Sequence, residues 1–218
     1  MDILEELKKT RLMVLARGVS KDVLLKAVAA IEEAGVTVFE STFDHRRADC
    51  IAENAEKIAA LVAAYGERMA IGAGTVLTVE EVRAAHAAGA TFIVSPGFNP
   101  KVTEYVLKKG MPMTPGVCTP TEIEAALQFG LDVLKFFPAE PAGGLKMIKA
   151  LAAPYVGVNF MPTGGISAAN VRDYLAYDRI VACGGSWMVS GKLVKEGKFD
   201  EIEKLVREAA GIVKEIRG

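Results

Sequence analysis

The chain has 218 residues, of which 51% are hydrophobic and 24% are charged, and its formal net charge is −1. These values are ordinary for a globular protein with one large core, and they give no reason to expect nucleic acid or a membrane as a partner. No apolar run is long enough to span a bilayer.

Residues 1–10 are charged and amphipathic and lack the apolar stretch of a secretory signal, so they predict a short N-terminal helix. The three cysteines, Cys50, Cys118 and Cys183, are odd in number and far apart. They have neither the spacing of zinc ligands nor that of a disulfide framework, so we expect no metal and a location in the reducing cytoplasm.

A short apolar run, a polar or glycine-containing turn and an amphipathic stretch recur along the chain. The apolar runs predict eight strands, at residues 12–16, 37–41, 69–73, 91–95, 112–115, 133–137, 158–162 and 180–183. The stretches between them predict helices, among them 21–34, 79–88, 120–129 and 168–175, and a final helix covers 199–216.

Alternating strands and helices indicate an α/β fold with parallel strands and right-handed crossovers. A doubly wound open sheet also alternates in this way, but eight strands in so short a chain favour closure. We therefore predict a (β/α)8 TIM barrel with a short N-terminal helix, in a single domain over residues 1–218.

Residues with capping chemistry flank several predicted helices. Ser20 and Thr119 stand where an N-cap is wanted, because their hydroxyls can accept hydrogen bonds from the first turn. Glycines that can adopt a left-handed conformation predict C-caps at Gly35, Gly89, Gly110 and Gly130.

Lys135 lies inside an apolar strand, between Leu134 and Phe136, where an ammonium group is costly to desolvate. Alternation places Lys135 on the same face as Val133 and Phe137, and a parallel strand of this kind is covered on both faces. Burial favours the neutral amine, the form that attacks a carbonyl carbon, so Lys135 is a candidate nucleophile. The alternative is a lysine that reaches the barrel rim or pairs with a carboxylate.

Glu40 lies near the carboxyl end of the second predicted strand, on the same face as Val36 and Val38. Barrel enzymes place their chemistry at this end of the strands. A carboxyl group there can relay protons between carbinolamine, imine and enamine, best with a pKa raised by burial. The alternative, a structural ion pair with Lys135 or an arginine, is compatible with that role.

Glycine-rich turns follow the last two predicted strands. One contains Gly164 and Gly165 and leads into a helix, and the other contains Gly185 and Ser186. Free backbone N–H groups and a helix N-terminus bind anions, and the loops after the last two strands are the usual phosphate site of a TIM barrel. Both turns together predict a phosphate cradle, although either alone is also ordinary turn chemistry.

Other strand ends carry candidate pocket residues. Thr75 can present its hydroxyl to a carboxylate, and Arg17 closes the first strand and can bind an acid group. Pro96, Phe98 and Phe137 are candidate walls of the pocket. Each is also common in plain turns or on surfaces.

Five motifs occur in order along nearly the whole chain: GAGTVL at 72–77, SPG at 95–97, LKFFPAE at 134–140, PTGGI at 162–166 and GGSW at 184–187. Together they resemble the 2-keto-3-deoxy-6-phosphogluconate (KDPG) and 4-hydroxy-2-oxoglutarate (KHG) aldolases. The resemblance implies a barrel that is usually a homotrimer and needs no metal or cofactor. It also implies a small-molecule substrate, a 4-hydroxy-2-keto acid that is reversibly cleaved to pyruvate and an aldehyde.

The resemblance implies a role for each matching residue. Lys135 is similar to the Schiff-base lysine and Glu40 to the general acid/base. Thr75 is similar to the residue that holds the pyruvyl carboxylate, and Arg17 to a pocket arginine. The implied phosphate cradle consists of Gly164, Gly165, Gly185 and Ser186.

One position departs from the family. Many members follow the strand-two glutamate with a segment that ends in Leu-Arg-Thr, whose arginine contacts the substrate carboxylate, whereas this chain has Asp44 in place of that arginine. An anion facing a carboxylate would repel it, so we expect Asp44 to point elsewhere or the substrate head to differ. Arg17, Arg46 and Arg47 are candidates to compensate.

Two other functions stay open on the sequence alone. One is a phosphate-binding barrel with another chemistry, an isomerase or a synthase, which has no special need for Lys135. The other is a non-catalytic barrel that binds a phosphorylated metabolite. Pyruvate-dependent labelling distinguishes both from an aldolase.

Overall fold

A computed structural model of the chain describes residues 3–217, and strands alternate with helices along it. The strands are β1 Leu12–Ala16, β2 Val38–Thr42, β3 Ala70–Gly74, β4 Ile93–Val94, β5 Met113–Thr114, β6 Gly116–Val117, β7 Val133–Phe136, β8 Asn159–Pro162 and β9 Cys183–Gly185. The helices are α1 Ile3–Thr10, α2 Lys21–Glu33, α3 Cys50–Tyr65, α4 Val79–Ala87, α5 Pro100–Lys108, α6 Pro120–Leu127, α7 Gly144–Ala152, α8 Val171–Leu175, α9 Gly191–Lys195 and α10 Phe199–Arg217.

All strand pairs are parallel, as the alternation of strands and helices predicts. Six strands form one sheet in the order β5-β4-β3-β2-β1-β9, and three form a second in the order β6-β7-β8. Isolated parallel bridges, Phe160–Ile180 and Thr163–Gly184, lie between the second sheet and the chain around β9. The fold is therefore α/β, with parallel strands in a curled sheet.

Three predicted strands differ clearly from the observed ones. The strand predicted at 91–95 is observed only as Ile93–Val94. The strand predicted at 112–115 ends at Thr114, and pairing resumes at Gly116, because Pro115 has no backbone N–H. The strand predicted at 180–183 begins only at Cys183, and Ile180 contributes a single bridge to Phe160.

The capping predictions are mostly confirmed. Thr119 forms a capping box with Glu122, whereas Ser20 occupies the N-cap position of α2 without a side-chain capping bond. The predicted C-cap glycines all have positive φ, with values of 87° at Gly35, 91° at Gly89, 69° at Gly110 and 73° at Gly130.

Apolar side chains form two clusters. The larger joins the outward faces of the strands to the surrounding helices. In the smaller, Ile3 and Leu7 of α1 pack with Met13, Val38 and Ala70, which lie at the amino ends of β1, β2 and β3. Helix α1 therefore covers the amino ends, which leaves the carboxyl ends for a site. Within residues 3–217, no helix combines the length and apolar character needed to cross a membrane.

Candidate active site

A cavity of about 340 Å³ lies at the carboxyl ends of the strands. Ten of the residues that the sequence nominated for the site line it: Arg17, Glu40, Thr75, Pro96, Lys135, Phe137, Gly164, Gly165, Gly185 and Ser186. Sequence reasoning missed five further lining residues, namely Leu15, Thr163, Ile166, Val189 and Gly191. Phe98 lies outside the lining and packs against Phe129 instead.

Lys135 stands in β7 between Gly116 of β6 and Met161 of β8, and only 4% of it is exposed. Burial lowers the pKa of its amine, and the positive charge of Arg17 lowers it further, while Glu40 opposes both effects. Its Nζ atom lies 5.1 Å from the centre of the Phe137 ring. The strand thus holds an amine whose neutral form is favoured inside the cavity.

Glu40 is 1% exposed, and neither carboxyl oxygen has a hydrogen-bond partner within the part of the chain that the structure describes. Burial raises the pKa of this carboxyl group, against the opposing charges of Lys135 and Arg17. Among residues 3–217, no lysine or arginine lies within hydrogen-bond distance of Glu40, so the close structural ion pair considered for it is not observed there. A carboxyl group with both oxygens free inside a cavity is available for proton transfer to a ligand.

Gly74 makes room for Glu40. A β-carbon at Gly74 would lie 1.7 Å from Oε1 of Glu40, so only glycine lets the carboxyl group cross β3. The sequence shows Gly74 within a GAGT motif but does not show which side chain needs the space.

Arg17 and Thr75 form a polar pair in the cavity wall. Nη2 of Arg17 donates a hydrogen bond of 2.9 Å to Oγ1 of Thr75, and Nε lies 3.4 Å from Oγ1 of Thr42. Thr75 has φ of 58°, which is rare for a β-branched residue and occurs mostly at functional sites. The pair places a guanidinium and a hydroxyl side by side.

Asp44 points away from this cavity. It accepts two hydrogen bonds of 2.7 Å from Arg46, which lower its pKa to about 2, and it packs against Gly18. Arg47 pairs with Asp49. Of the arginines expected to compensate for Asp44, Arg17 lines the cavity, while Arg46 and Arg47 do not.

The predicted phosphate cradle is divided between the turn after β8, with Gly164 and Gly165, and the end of β9, with Gly185 and the following Ser186. Gly164 and Gly165 have φ of 98° and 84°, and the amide of Gly165 donates no hydrogen bond to any residue between 3 and 217. The helix that was expected to start at residue 168 begins at Val171 and has five residues. An anion here would therefore meet loop amides rather than the end of a long helix.

Thr163 is a buried polar residue that the sequence did not single out. It is 5% exposed, and its Oγ1 has no hydrogen-bond partner within residues 3–217. A β-carbon at Gly184 would lie 2.3 Å from that oxygen, so Gly184 accommodates the threonine. The available signal was its place directly after a predicted strand.

Known proteins match the chain over nearly its whole length. The family model for KDPG and KHG aldolase covers residues 3–205. A 2-dehydro-3-deoxy-phosphogluconate aldolase of Haemophilus influenzae is 43% identical over 212 residues, and the match covers 97% of each chain.

Two solved structures share the fold at moderate identity. One is the KDPG aldolase of Legionella pneumophila with pyruvate captured as a covalent carbinolamine, with a TM-score of 0.88, 29% identity and coverage of 96% of this chain and 98% of that one. The other is the 2-keto-3-deoxy-6-phosphogluconate aldolase of Zymomonas mobilis with 3-phosphoglycerate. It has a TM-score of 0.85 and 30% identity, and 96% of each chain is covered.

The fold, the cavity and these matches define the class of protein: a class I aldolase, which is a lyase. Neither an isomerase or synthase nor a non-catalytic binding protein is favoured. The chain belongs to the KDPG and KHG aldolase family.

Proposed function

We propose that the protein reversibly cleaves a 4-hydroxy-2-keto acid to pyruvate and an aldehyde through a Schiff base on Lys135. The observation that carries this proposal is the pairing of two buried groups in one cavity. Burial lowers the pKa of the Lys135 amine and raises that of the Glu40 carboxyl, so both neutral forms are favoured. A neutral amine can attack a carbonyl, and a protonated carboxyl can donate the proton needed next.

The neutral Lys135 amine adds to C2 of the keto acid and forms a carbinolamine after proton transfer. Glu40 donates its proton to the leaving hydroxyl, and water departs as the iminium forms. The resulting carboxylate takes the C4 hydroxyl proton while the C3–C4 bond breaks, the aldehyde leaves, and the electron pair is held as an enamine. Glu40 then protonates C3, and water hydrolyses the iminium to release pyruvate.

In this proposal, two sets of residues hold the two ends of the substrate. Arg17 and Thr75, joined by a hydrogen bond of 2.9 Å, bind the pyruvyl carboxylate. The turns with Gly164, Gly165, Gly185 and Ser186 bind a phosphate at the other end. The proposed substrates are 2-keto-3-deoxy-6-phosphogluconate, which carries this phosphate and yields glyceraldehyde 3-phosphate, and 4-hydroxy-2-oxoglutarate, which lacks it and yields glyoxylate. The named activities of the relatives support this choice.

A closed (β/α)8 barrel in a single domain is part of the same proposal. Two observations support closure: the amide of Lys135 donates to the carbonyl of Pro115 at 2.9 Å, and bridges Phe160–Ile180 and Thr163–Gly184 lie next to β9. β5 and β6 then count as one strand interrupted at Pro115. The homotrimer and the cytoplasmic location remain predictions, the first from the family resemblance.

The test is mass spectrometry after incubation with pyruvate and borohydride, which reduces an iminium to a stable secondary amine. We expect one pyruvyl adduct on the peptide with Lys135, and none in Lys135→Met. Lys57→Met is the matched control, because Lys57 is 5% exposed and pairs with Glu53 outside the cavity. Folded wild-type protein without an adduct would disprove the Schiff-base mechanism.

A further inference from the structure

The turn after β8 has three successive carbonyl groups that are held from outside the cavity. The carbonyl of Thr163 accepts from the amide of Ala139 at 2.8 Å, and the carbonyl of Gly164 accepts from the amide of Glu140 at 3.0 Å. The carbonyl of Gly165 accepts from Nδ2 of the Asn170 side chain at 3.0 Å.

This arrangement fixes the direction of the amides that follow. In a trans peptide unit the C=O and N–H bonds point in opposite directions. A carbonyl held by a donor outside the cavity lining turns the next N–H group away from that donor. For the carbonyls of Gly164 and Gly165 the next amides are those of Gly165 and Ile166, and both residues line the cavity. Two adjacent N–H groups of this kind form a cradle for an anion.

Two side chains outside the cavity lining hold these carbonyl groups, Asn170 directly and Tyr174 through Glu140. The hydroxyl of Tyr174, a residue of α8 that is 1% exposed, donates to Oε1 of Glu140, and the Glu140 amide holds the Gly164 carbonyl. Asn170 also accepts from the amide of Ser167 at 2.8 Å through its Oδ1, so its amide group bridges both ends of the turn. Neither Asn170 nor Tyr174 lines the cavity.

We propose that Asn170 and Tyr174 are positioning residues that aim the cradle amides at the phosphate group of the substrate. This inference rests on the proposed function, since it assigns the cradle to a phosphate at the aldehyde end. In this proposal, two side chains that never contact the substrate determine the direction of the cradle amides. Loss of either side chain lets a carbonyl rotate inward, where its negative end opposes an anion.

The experiment compares wild type with Asn170→Ala and Tyr174→Phe on 2-keto-3-deoxy-6-phosphogluconate and on unphosphorylated 4-hydroxy-2-oxoglutarate. Asn170→Ala removes the hydrogen bonds to Gly165 and Ser167, and Tyr174→Phe removes the one to Glu140, so we expect KM for the phosphorylated substrate to rise roughly three- to tenfold. The inhibition constant of inorganic phosphate rises by a similar factor. The preference for the phosphorylated substrate, as a ratio of kcat/KM values, falls.

Tyr155→Phe is the matched control, because it removes a tyrosine–glutamate hydrogen bond of 2.9 Å, to Glu124, away from the cavity. Retention of the wild-type preference and phosphate inhibition in both test variants would overturn the inference, as would equal losses on the two substrates. If Tyr174→Phe fails to fold, Asn170→Ala decides, because Asn170 lies in a partly exposed turn.

The same experiment separates this inference from the proposed function. Pyruvate carries no phosphate, so the borohydride-trapped adduct on Lys135 tests the chemistry alone. Adduct formation without any phosphate preference in wild type would overturn the cradle and its positioning residues but leave the Schiff base. Absence of the adduct would overturn the proposed function itself.

Discussion

Lys135 and Glu40 are groups that a protein core normally excludes. Removing one charge from water costs several kcal/mol, and a buried pair repays that cost only with good geometry and full hydrogen bonding. Here the two oxygens of Glu40 have no partner within residues 3–217. The lower-cost state is therefore the neutral one for both groups, which is also the state that attack on a carbonyl requires.

Gly74 determines whether the Glu40 carboxyl can reach its position. We expect Gly74→Ala to lower kcat by about 100-fold or more, the usual lower limit for loss of an acid/base group, because the new β-carbon displaces Oε1. Steady-state kinetics and the unfolding midpoint are measured on the same protein.

Gly157→Ala is the control for this change, since a β-carbon at Gly157 meets no atom within 4 Å. Wild-type turnover in folded Gly74→Ala would show that the position of Glu40 does not limit the reaction.

At the scale of elements, the sequence predicted strands where an apolar run is bounded by polar residues. The first strand is an example: it was predicted at residues 12–16, between Arg11 and Arg17, and is observed as Leu12–Ala16. Prediction was less accurate where pairing depends on the neighbouring strand. Ile180 is apolar like a strand residue, but it makes only one bridge.

The predicted site residues meet in one cavity because parallel strands bring their carboxyl ends together. The site residues that the sequence did not predict depend on contacts that the alternation of apolar and polar residues does not encode. Thr163, Asn170 and Tyr174 gain their importance from the partners they face or lack in three dimensions. Asp44 was recognised as a departure, but only its contact with Arg46 shows where its charge is neutralised.

Helix α10 offers a test of backbone conformation within an element. Gly211 lies in the interior of α10, and a β-carbon there would meet nothing within 4 Å. We expect Gly211→Ala to stabilise the protein by up to about 1 kcal/mol, because alanine loses less backbone entropy in a helix. Urea unfolding gives the change.

Gly35 is the matched contrast to Gly211. A β-carbon at Gly35 also meets nothing within 4 Å, but its φ is 87°. Gly35→Ala should destabilise the protein by roughly 1 kcal/mol, because L residues are strained in the left-handed region. Changes of the same sign in both variants would contradict this explanation.

At the scale of the whole molecule, the fold separates stability from chemistry. Helix α1 packs on the amino ends of the strands through Ile3 and Leu7, while the cavity lies at the carboxyl ends. The buried Lys135 and Glu40 nevertheless connect stability with chemistry. Their protonation states contribute to the free energy of unfolding as well as to the reaction.

Lys135 and Glu40 together should add no pH dependence to the free energy of unfolding of the wild type over the neutral range. The unfolded chain carries one proton on the pair, on lysine, between about pH 5 and pH 9. The folded protein also carries one, on Glu40, when both groups are neutral, as the directions of their pKa shifts favour. Since both states bind equal numbers of protons, the pair contributes no slope to stability against pH.

Single variants should expose the two opposing slopes. In Lys135→Met the remaining Glu40 has a folded pKa above its unfolded value, so its contribution is present below about pH 4 and is lost as pH rises through the folded pKa. In Glu40→Gln the remaining Lys135 has a lowered folded pKa, so its contribution is present above about pH 10 and is lost as pH falls toward the folded pKa.

The free energies of unfolding of the two single variants, measured with urea between pH 5 and pH 9, should therefore change with pH in opposite directions. Relative to wild type, each slope reaches up to about 1.4 kcal/mol per pH unit. The unfolding free energy of Lys135→Met falls with rising pH, and that of Glu40→Gln rises. The double variant, which lacks both groups, should run parallel to wild type. If both single variants also run parallel to wild type, Lys135 and Glu40 titrate in the fold as they do in the unfolded chain. In that case burial cannot be what prepares the amine for attack.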